Sequence, residues 1–220
     1  MRKGRLTPGF RAGSVRFRKA SYTQDQNSKI NNHNFPMADH SKPIVVDRSS
    51  LKALADKTVL ITGASSGIGL ETAELFYELG CNVVFVGGRK RPTTYVDLSS
   101  PRVLVLKCNV TNWESQVDIF EATIAKFGKI DIVVPNAGVA EPMGQYFNLK
   151  VGKNGRPESL DMIAFDVDMK GTASTIALAF HYMMKIGGGS VVIMSSRAGY
   201  GGVPELPSYS AAKHGRLSSF

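Results

Sequence analysis

The chain has 220 residues, 43% of them hydrophobic and 20% charged, the proportions of an ordinary globular protein. That length fits one domain with tails, and no apolar run approaches the roughly 18 residues of a membrane span, which argues against a transmembrane protein. The net charge of +9 is unevenly spread: residues 1–36 hold eight Lys/Arg against one Asp, and the other 184 residues hold 19 Lys/Arg against 17 Asp/Glu. The basic excess belongs to a tail, so neither nucleic acid nor a membrane is an expected partner of the body.

Residues 1–49 lack sustained periodicity and are rich in Arg, Ser, Asn and Gln, which predicts a mostly disordered extension. The expected location is the cytoplasm. No apolar h-region marks a secretory signal, and Cys81 and Cys108, both beside predicted strands, read as small buried side chains in a reducing compartment. A mitochondrial address is the alternative, because Arg2, Lys3, Arg5, Arg11, Arg16, Arg18 and Lys19 all precede the first acid, Asp25. Gly4, Pro8, Gly9 and Gly13 weaken the amphipathic helix that such an address uses, and a start at Met37 is a third reading. No Cys/His spacing points to a metal site.

From residue 50 the pattern changes. A strand over 58–61 runs into Thr62, Gly63, Ala64, Ser65, Ser66, Gly67, Ile68 and Gly69, and a helix over 70–80 follows, with Gly80 as its stop. A strand, a glycine-rich turn and a helix place amide groups and the positive end of a macrodipole where a phosphate can bind. In that reading Gly63 turns the chain off the strand, Gly67 admits a pyrophosphate to the backbone and Gly69 lets the helix pack closely. Further strands are predicted over 82–86, 102–108, 129–134 and 190–194. Helices are predicted over 112–127, capped by Thr111 or Asn112, over most of 158–186, and from near Ser208. Polar connections cover 140–157 and 197–207. This alternation predicts an α/β protein with a doubly wound parallel sheet in three layers, its ligand at the carboxyl ends of the strands.

Four features fall at those ends in order: the glycine turn at 62–69, Asn136-Ala137-Gly138, Ser196, and Tyr209 with Lys213. Together they resemble the short-chain dehydrogenase/reductase family over about residues 50–220. The resemblance implies a Rossmann domain, a nicotinamide dinucleotide, no metal, and hydride transfer between the cofactor and an alcohol or ketone. Its motifs match Gly63, Ser65, Ser66, Gly67, Ile68 and Gly69 for the pyrophosphate, and Asn109, Val110, Asn136, Ala137 and Gly138 for the adenine-ribose region. Ser196, Tyr209 and Lys213 match the catalytic set, with Tyr209 and Lys213 also touching the nicotinamide ribose.

Tyr-x3-Lys occurs twice in the chain, and Tyr146/Lys150 reads as a decoy because it lies in a Gly/Pro/Asn loop. Tyr209 follows Ser196 by the family's 13 residues, which favours Ser196 over Ser195. Lys213, one helical turn on, puts a positive charge near the phenol, which favours phenolate, while Ser196 would stabilise charge developing on the substrate oxygen. The family's asparagine before Gly171 is here Asp168, which joins the catalytic candidates. Its usual aspartate after the third strand is here Asn109, and the residue before Asn136 is Pro135. NAD-preferring members carry an acid where this chain has Gly87, and Arg89, Lys90 and Arg91 follow it. NADP is therefore expected over NAD, with Arg89 on the extra phosphate. Family members usually continue with another strand, a substrate-covering loop and a last strand. The domain at 50–220 is accordingly expected to be C-terminally incomplete. A homo-oligomer is expected only of a full-length chain, and a nucleotide-binding fragment without turnover is the rival to an active enzyme.

Overall fold

The computed structural model describes residues 50–88 and 92–218. The predicted N-terminal extension, and Arg89, Lys90 and Arg91, lie outside the described residues. A short 3-10 turn, Ser50–Leu54, leads into β1 (Thr58–Thr62), α1 (Gly67–Glu78), β2 (Asn82–Gly87), β3 (Val103–Lys107), α2 (Trp113–Phe127), β4 (Ile132–Val134), α3 (Thr172–Met184), β5 (Ser190–Val191) and α4 (Pro207–Ser218). The five strands form one sheet in the order β3-β2-β1-β4-β5, and every neighbouring pair is parallel.

The middles of β1 and β2 are apolar runs because helices cover both faces of the sheet. Val59 and Ile61 turn to one face, where they meet Ala73 of α1 with Leu70, Phe76 and Tyr77 around it. Leu60 turns to the other, with Ile119 and Phe120 of α2 and Leu178 and Met183 of α3. Each such wholly buried aliphatic side chain stabilises the fold by about 1.5–3 kcal/mol. The helix ends follow local chemistry. Asn112 Oδ1 accepts the Ser115 amide at 2.7 Å and so caps α2, while Gly80, at φ +86, closes α1 in a conformation that other residues rarely adopt. Of the two candidate caps for α2, Asn112 is the one that bonds.

Three strands are shorter than predicted, β3 by one residue at each end. The fourth strand begins at Ile132 rather than 129, because Asp131 replaces a ladder partner: its carboxylate accepts the Thr58 amide at 2.8 Å. The fifth stops at Val191, although the Val192 and Met194 amides still reach Val133 O and Pro135 O. Pro135 has no amide to return, so the ladder cannot continue.

The helix predicted from 158 is a correction. Val151 and Pro157 pair in an antiparallel bridge, the Glu158 amide bonds Lys150 O, and the first helical amide, Ile163, is taken by Asp161 Oδ1 at 2.9 Å. Helix therefore starts at Ile163. Its next turns, Phe165–Gly171, are π-helical before α3 proper. Gly171 is what lets that turn approach the sheet, since a Cβ there would stand 3.0 Å from both Val110 Cγ2 and Val110 O. Buried Gln116 closes the gap, donating to Val110 O and Gly171 O and accepting from Thr175.

At the amino end of the sheet, burial pushes Asp131 up, but the Thr58 amide and the Lys129 and Lys57 ammonium groups outweigh it and hold the carboxyl below its ordinary value. A depressed carboxylate stabilises the fold above its unfolded pKa, and that contribution disappears as pH falls through the folded one. Asp131→Ala should lose about 1–3 kcal/mol at neutral pH, and urea titrations should show the gap to the parent narrowing in acid. A gap independent of pH would refute the assignment.

Candidate active site

The register of the sheet assembles the carboxyl end. Ile61 pairs with both Phe85 and Val134, so the turn after β1 lies beside the segment after β4. Buried Thr62 joins them, its Oγ1 accepting the amides of Asn136 and Ala137 at 3.1 Å each, while Asn136 Nδ2 donates to Thr62 O at 2.9 Å. Gly63, at φ +71, makes the turn off the strand. A Cβ on Gly69 would collide with Gly63 O and Asn136 Nδ2, so the start of α1 packs tightly under the loop.

Above that floor the turn is open. Ser66 caps α1 through extended backbone with no side-chain bond, Ser65 is half-buried, and Ser66, Gly67 and Ile68 are exposed. A Cβ at Gly67, at φ +57, would meet nothing within 4 Å. These residues fit a dinucleotide: an exposed helix start with unoccupied amide groups, and room over Gly67 for a pyrophosphate. Asn109, just past the end of β3, is exposed, but its Oδ1 already accepts the Thr111 amide at 3.1 Å and the Thr111 hydroxyl at 2.9 Å. Val110 is half-buried and gives its carbonyl to Gln116.

Across the sheet end stands α4, packed on the π-helical turn and on a 3-10 turn, Arg197–Gly199. Lys213 and Tyr209 share one face of it, with Lys213 Nζ 5.3 Å from the centre of the half-buried Tyr209 ring. Buried Lys213 pairs with buried Asp168 Oδ2 at 3.4 Å, and Val139 donates its amide to Asp168 Oδ1 at 2.8 Å. Gly138 makes room for the pair, since a Cβ there would stand 3.0 Å from both Asp168 Oδ1 and Lys213 Nζ. Burial pushes the Lys213 ammonium below its ordinary pKa, nearby Arg216 adds to this, and Asp168 pulls the other way. Burial likewise pushes Asp168 up, against Lys213, the Val139 amide and Arg216. Ser196 caps the 3-10 turn, its Oγ accepting the Ala198 amide at 3.2 Å, whereas Ser195 donates its hydroxyl to Lys213 O at 2.9 Å. Among the described residues no cluster of His, Cys, Asp and Glu is arranged to hold a metal, and no helix is long and apolar enough to cross a membrane.

A family model described as short chain dehydrogenase matches residues 57–218. The chain belongs to that family. It is 39% identical over 178 residues to a short-chain dehydrogenase/reductase of Acremonium egyptiacum, covering 79% of this chain and 58% of the relative. It is 33% identical to the cis-4-hydroxycyclohexanecarboxylate dehydrogenase of Sinomonas cyclohexanicum, covering 74% and 64%. The chain thus spans only part of the length of the curated relatives it matches. The structure of a 3-ketoacyl-(acyl-carrier-protein) reductase from Brucella melitensis, complexed with NADH, superposes with a TM-score of 0.65 over 76% of this chain and 67% of that one, at 24% identity. That likeness is one of fold, the Rossmann-type sheet with helices on both faces.

Two residues of this short-chain dehydrogenase site escaped the sequence reading. Glu141 is buried and accepts the Ser208 amide at 2.7 Å and the Tyr209 amide at 2.9 Å, one on each oxygen. It caps α4 from a distance of 67 residues and fixes the backbone that carries Tyr209. Tyr146, of the decoy pair, lies alongside, its hydroxyl 2.7 Å from Ser208 Oγ. Glu141→Ala should cost about 1–2 kcal/mol of stability in urea unfolding, and Glu141→Gln distinctly less because one acceptor remains. Equal losses would mean that the carboxylate does not cap the helix. The second missed residue, Arg216, lies three positions after Lys213, on the same helical face.

Proposed function

We propose that the chain is an NAD(P)-dependent oxidoreductase interconverting an alcohol and a ketone or aldehyde. The observation that carries this reading is the Tyr209–Lys213 pair on α4, at the sheet end that also bears the glycine turn. The nicotinamide, when bound, supplies or accepts the hydride. Tyr209 then moves the proton at the substrate oxygen, as a phenol in reduction and a phenolate in oxidation. The Lys213 ammonium favours the phenolate. Ser196 has its hydroxyl hydrogen left to donate to the substrate oxygen, since its Oγ only accepts from Ala198, while Ser195 is committed to Lys213 O. Asp168 holds Lys213 in place by their ion pair.

For the cofactor, Gly87 standing where an acid would bind a ribose hydroxyl supports NADP over NAD. Arg89 would pair with the 2′-phosphate of NADP, and the cytoplasm is the compartment in which the enzyme works. The relative from Sinomonas acts, by its name, on a ring-borne secondary alcohol, so cyclic alcohols and ketones head the substrate panel.

The test is absorbance at 340 nm with NADPH, NADP, NADH and NAD against such a panel. Substrate-dependent change, larger with the phosphorylated cofactor, is expected. Saturable binding of NADPH without any change at 340 nm would favour the second reading, a nucleotide-binding chain without turnover, which the partial coverage of its relatives brings into play. Equal use of both cofactors would overturn the NADP assignment alone.

A further inference from the structure

Arg216 is the largest wholly buried side chain among the described residues. A buried guanidinium is costly unless its donors and its charge are both met. Its donors go to main-chain carbonyls of three separate segments. Nε donates to Asp168 O in the π-helical turn, one terminal nitrogen to Met194 O at 2.6 Å beyond β5, and the other to Ala137 O at 2.8 Å beyond β4. Those segments carry Asp168, the Ser195-Ser196 pair and Gly138. The charge is met by Asp168, whose Oδ1 lies 3.8 Å from the guanidinium. Asp168 therefore sits between two cations, with Lys213 on its other oxygen at 3.4 Å and no hydrogen bond accepted by that oxygen. A single buried carboxylate facing Lys213 alone would hold the ammonium to itself, so a second fixed cation changes the balance.

We propose that Arg216 is a positioning residue of the active site. It locks the π-helical turn and the segments after β4 and β5 to the catalytic helix, and it offsets Asp168 so that the positive charge of Lys213 remains effective at Tyr209. This rests on the acid–base reading of Tyr209 and Lys213 given above. The charged and titratable groups facing the centre are few: Tyr209, Lys213 and Arg216 from α4, Asp168 from the π-helical turn, and the Glu141 carboxylate at the α4 start. Asp166, Lys170, Arg197 and His214, on the elements packed around it, are exposed.

The signs of the effects follow from that arrangement. Removing Arg216 takes away a cation, so the phenolate of Tyr209 is less favoured and Lys213 holds its proton more tightly. Removing the Asp168 charge does the reverse. Removing both returns the net charge to that of the parent site.

The experiment compares the full chain with Arg216→Met, Asp168→Asn and the double variant. In NADP-linked alcohol oxidation, the ascending limb of the pH–rate profile should move up by about one unit in Arg216→Met, down in Asp168→Asn, and back to the parent position in the double. A limb that stays in place while kcat falls would reduce Arg216 to a structural brace and overturn the proposal. Without cofactor, Arg216→Met should lower the melting temperature by at least about 2 °C more in the parent chain than in the Asp168→Asn background. Equal losses would overturn the charge coupling. If Arg216→Met does not fold, Arg216→Lys keeps the charge but cannot reach three carbonyls. Its limb should stay with the parent while kcat drops, and a displaced limb would count against the proposal. Should the parent show no turnover, the acid–base reading fails by itself, and the melting cycle still decides the role of Arg216.

Discussion

Tyr209→Phe is expected to lower turnover roughly 100- to 10,000-fold while leaving the Kd for the dinucleotide and the melting temperature close to those of the parent. The substitution removes one oxygen and little else. The ring stays half-buried beside Lys213 Nζ, and the backbone of residue 209 is held through its amide by Glu141 rather than through the hydroxyl. On the proposed mechanism, what is lost is the group that passes a proton to the substrate oxygen, while Lys213 stays paired with Asp168. Initial rates at 340 nm, set against cofactor binding by fluorescence quenching, separate loss of chemistry from loss of binding. A variant with parental turnover would remove Tyr209 from the mechanism.

The second large effect falls on stability. Asp168→Ala should cost about 3–5 kcal/mol, because it leaves the buried Lys213 and Arg216 without a counter-charge and the Val139 amide without its acceptor. Asp168→Asn keeps an oxygen for Val139 and should be milder. Urea unfolding of the three proteins measures both. A loss under about 1 kcal/mol for the alanine variant would mean that water reaches the two cations and that the pair behaves as a surface ion pair.

Much of this fold could be read directly from residue patterns. The strands announced themselves because the middles of β1 and β2 are apolar without alternation, as a sheet covered on both faces demands. Tyr209 and Lys213 were legible because a separation of four residues on a helix is a contact in itself. The helix predicted from 158 begins only at Ile163. What stops the helix there is Asp161 taking the Ile163 amide, a local competition that periodicity does not register. Glu141 and Arg216 were invisible for a different reason. The partners of Glu141 lie 67 and 68 residues away and those of Arg216 lie 22, 48 and 79 away, and nothing in either residue's own neighbourhood marks it as buried. The choice between Ser195 and Ser196 rested on family spacing; in the structure Ser195 gives its hydroxyl to Lys213 O.

The π-helical turn has a consequence for how the chain tolerates changes in length. Such a turn is an α-helix carrying one extra residue, and Asp168 lies within it. Deleting one residue from the regular part of α3, which has no such slack to absorb the change, would rotate the stretch upstream of it, Asp168 included, by about 100° relative to the rest of the helix. Asp168 would survive in the sequence yet leave the site, and Lys213 and Arg216 would face each other with nothing between them. The charge balance at the heart of this protein is set by a count of residues as much as by their identity.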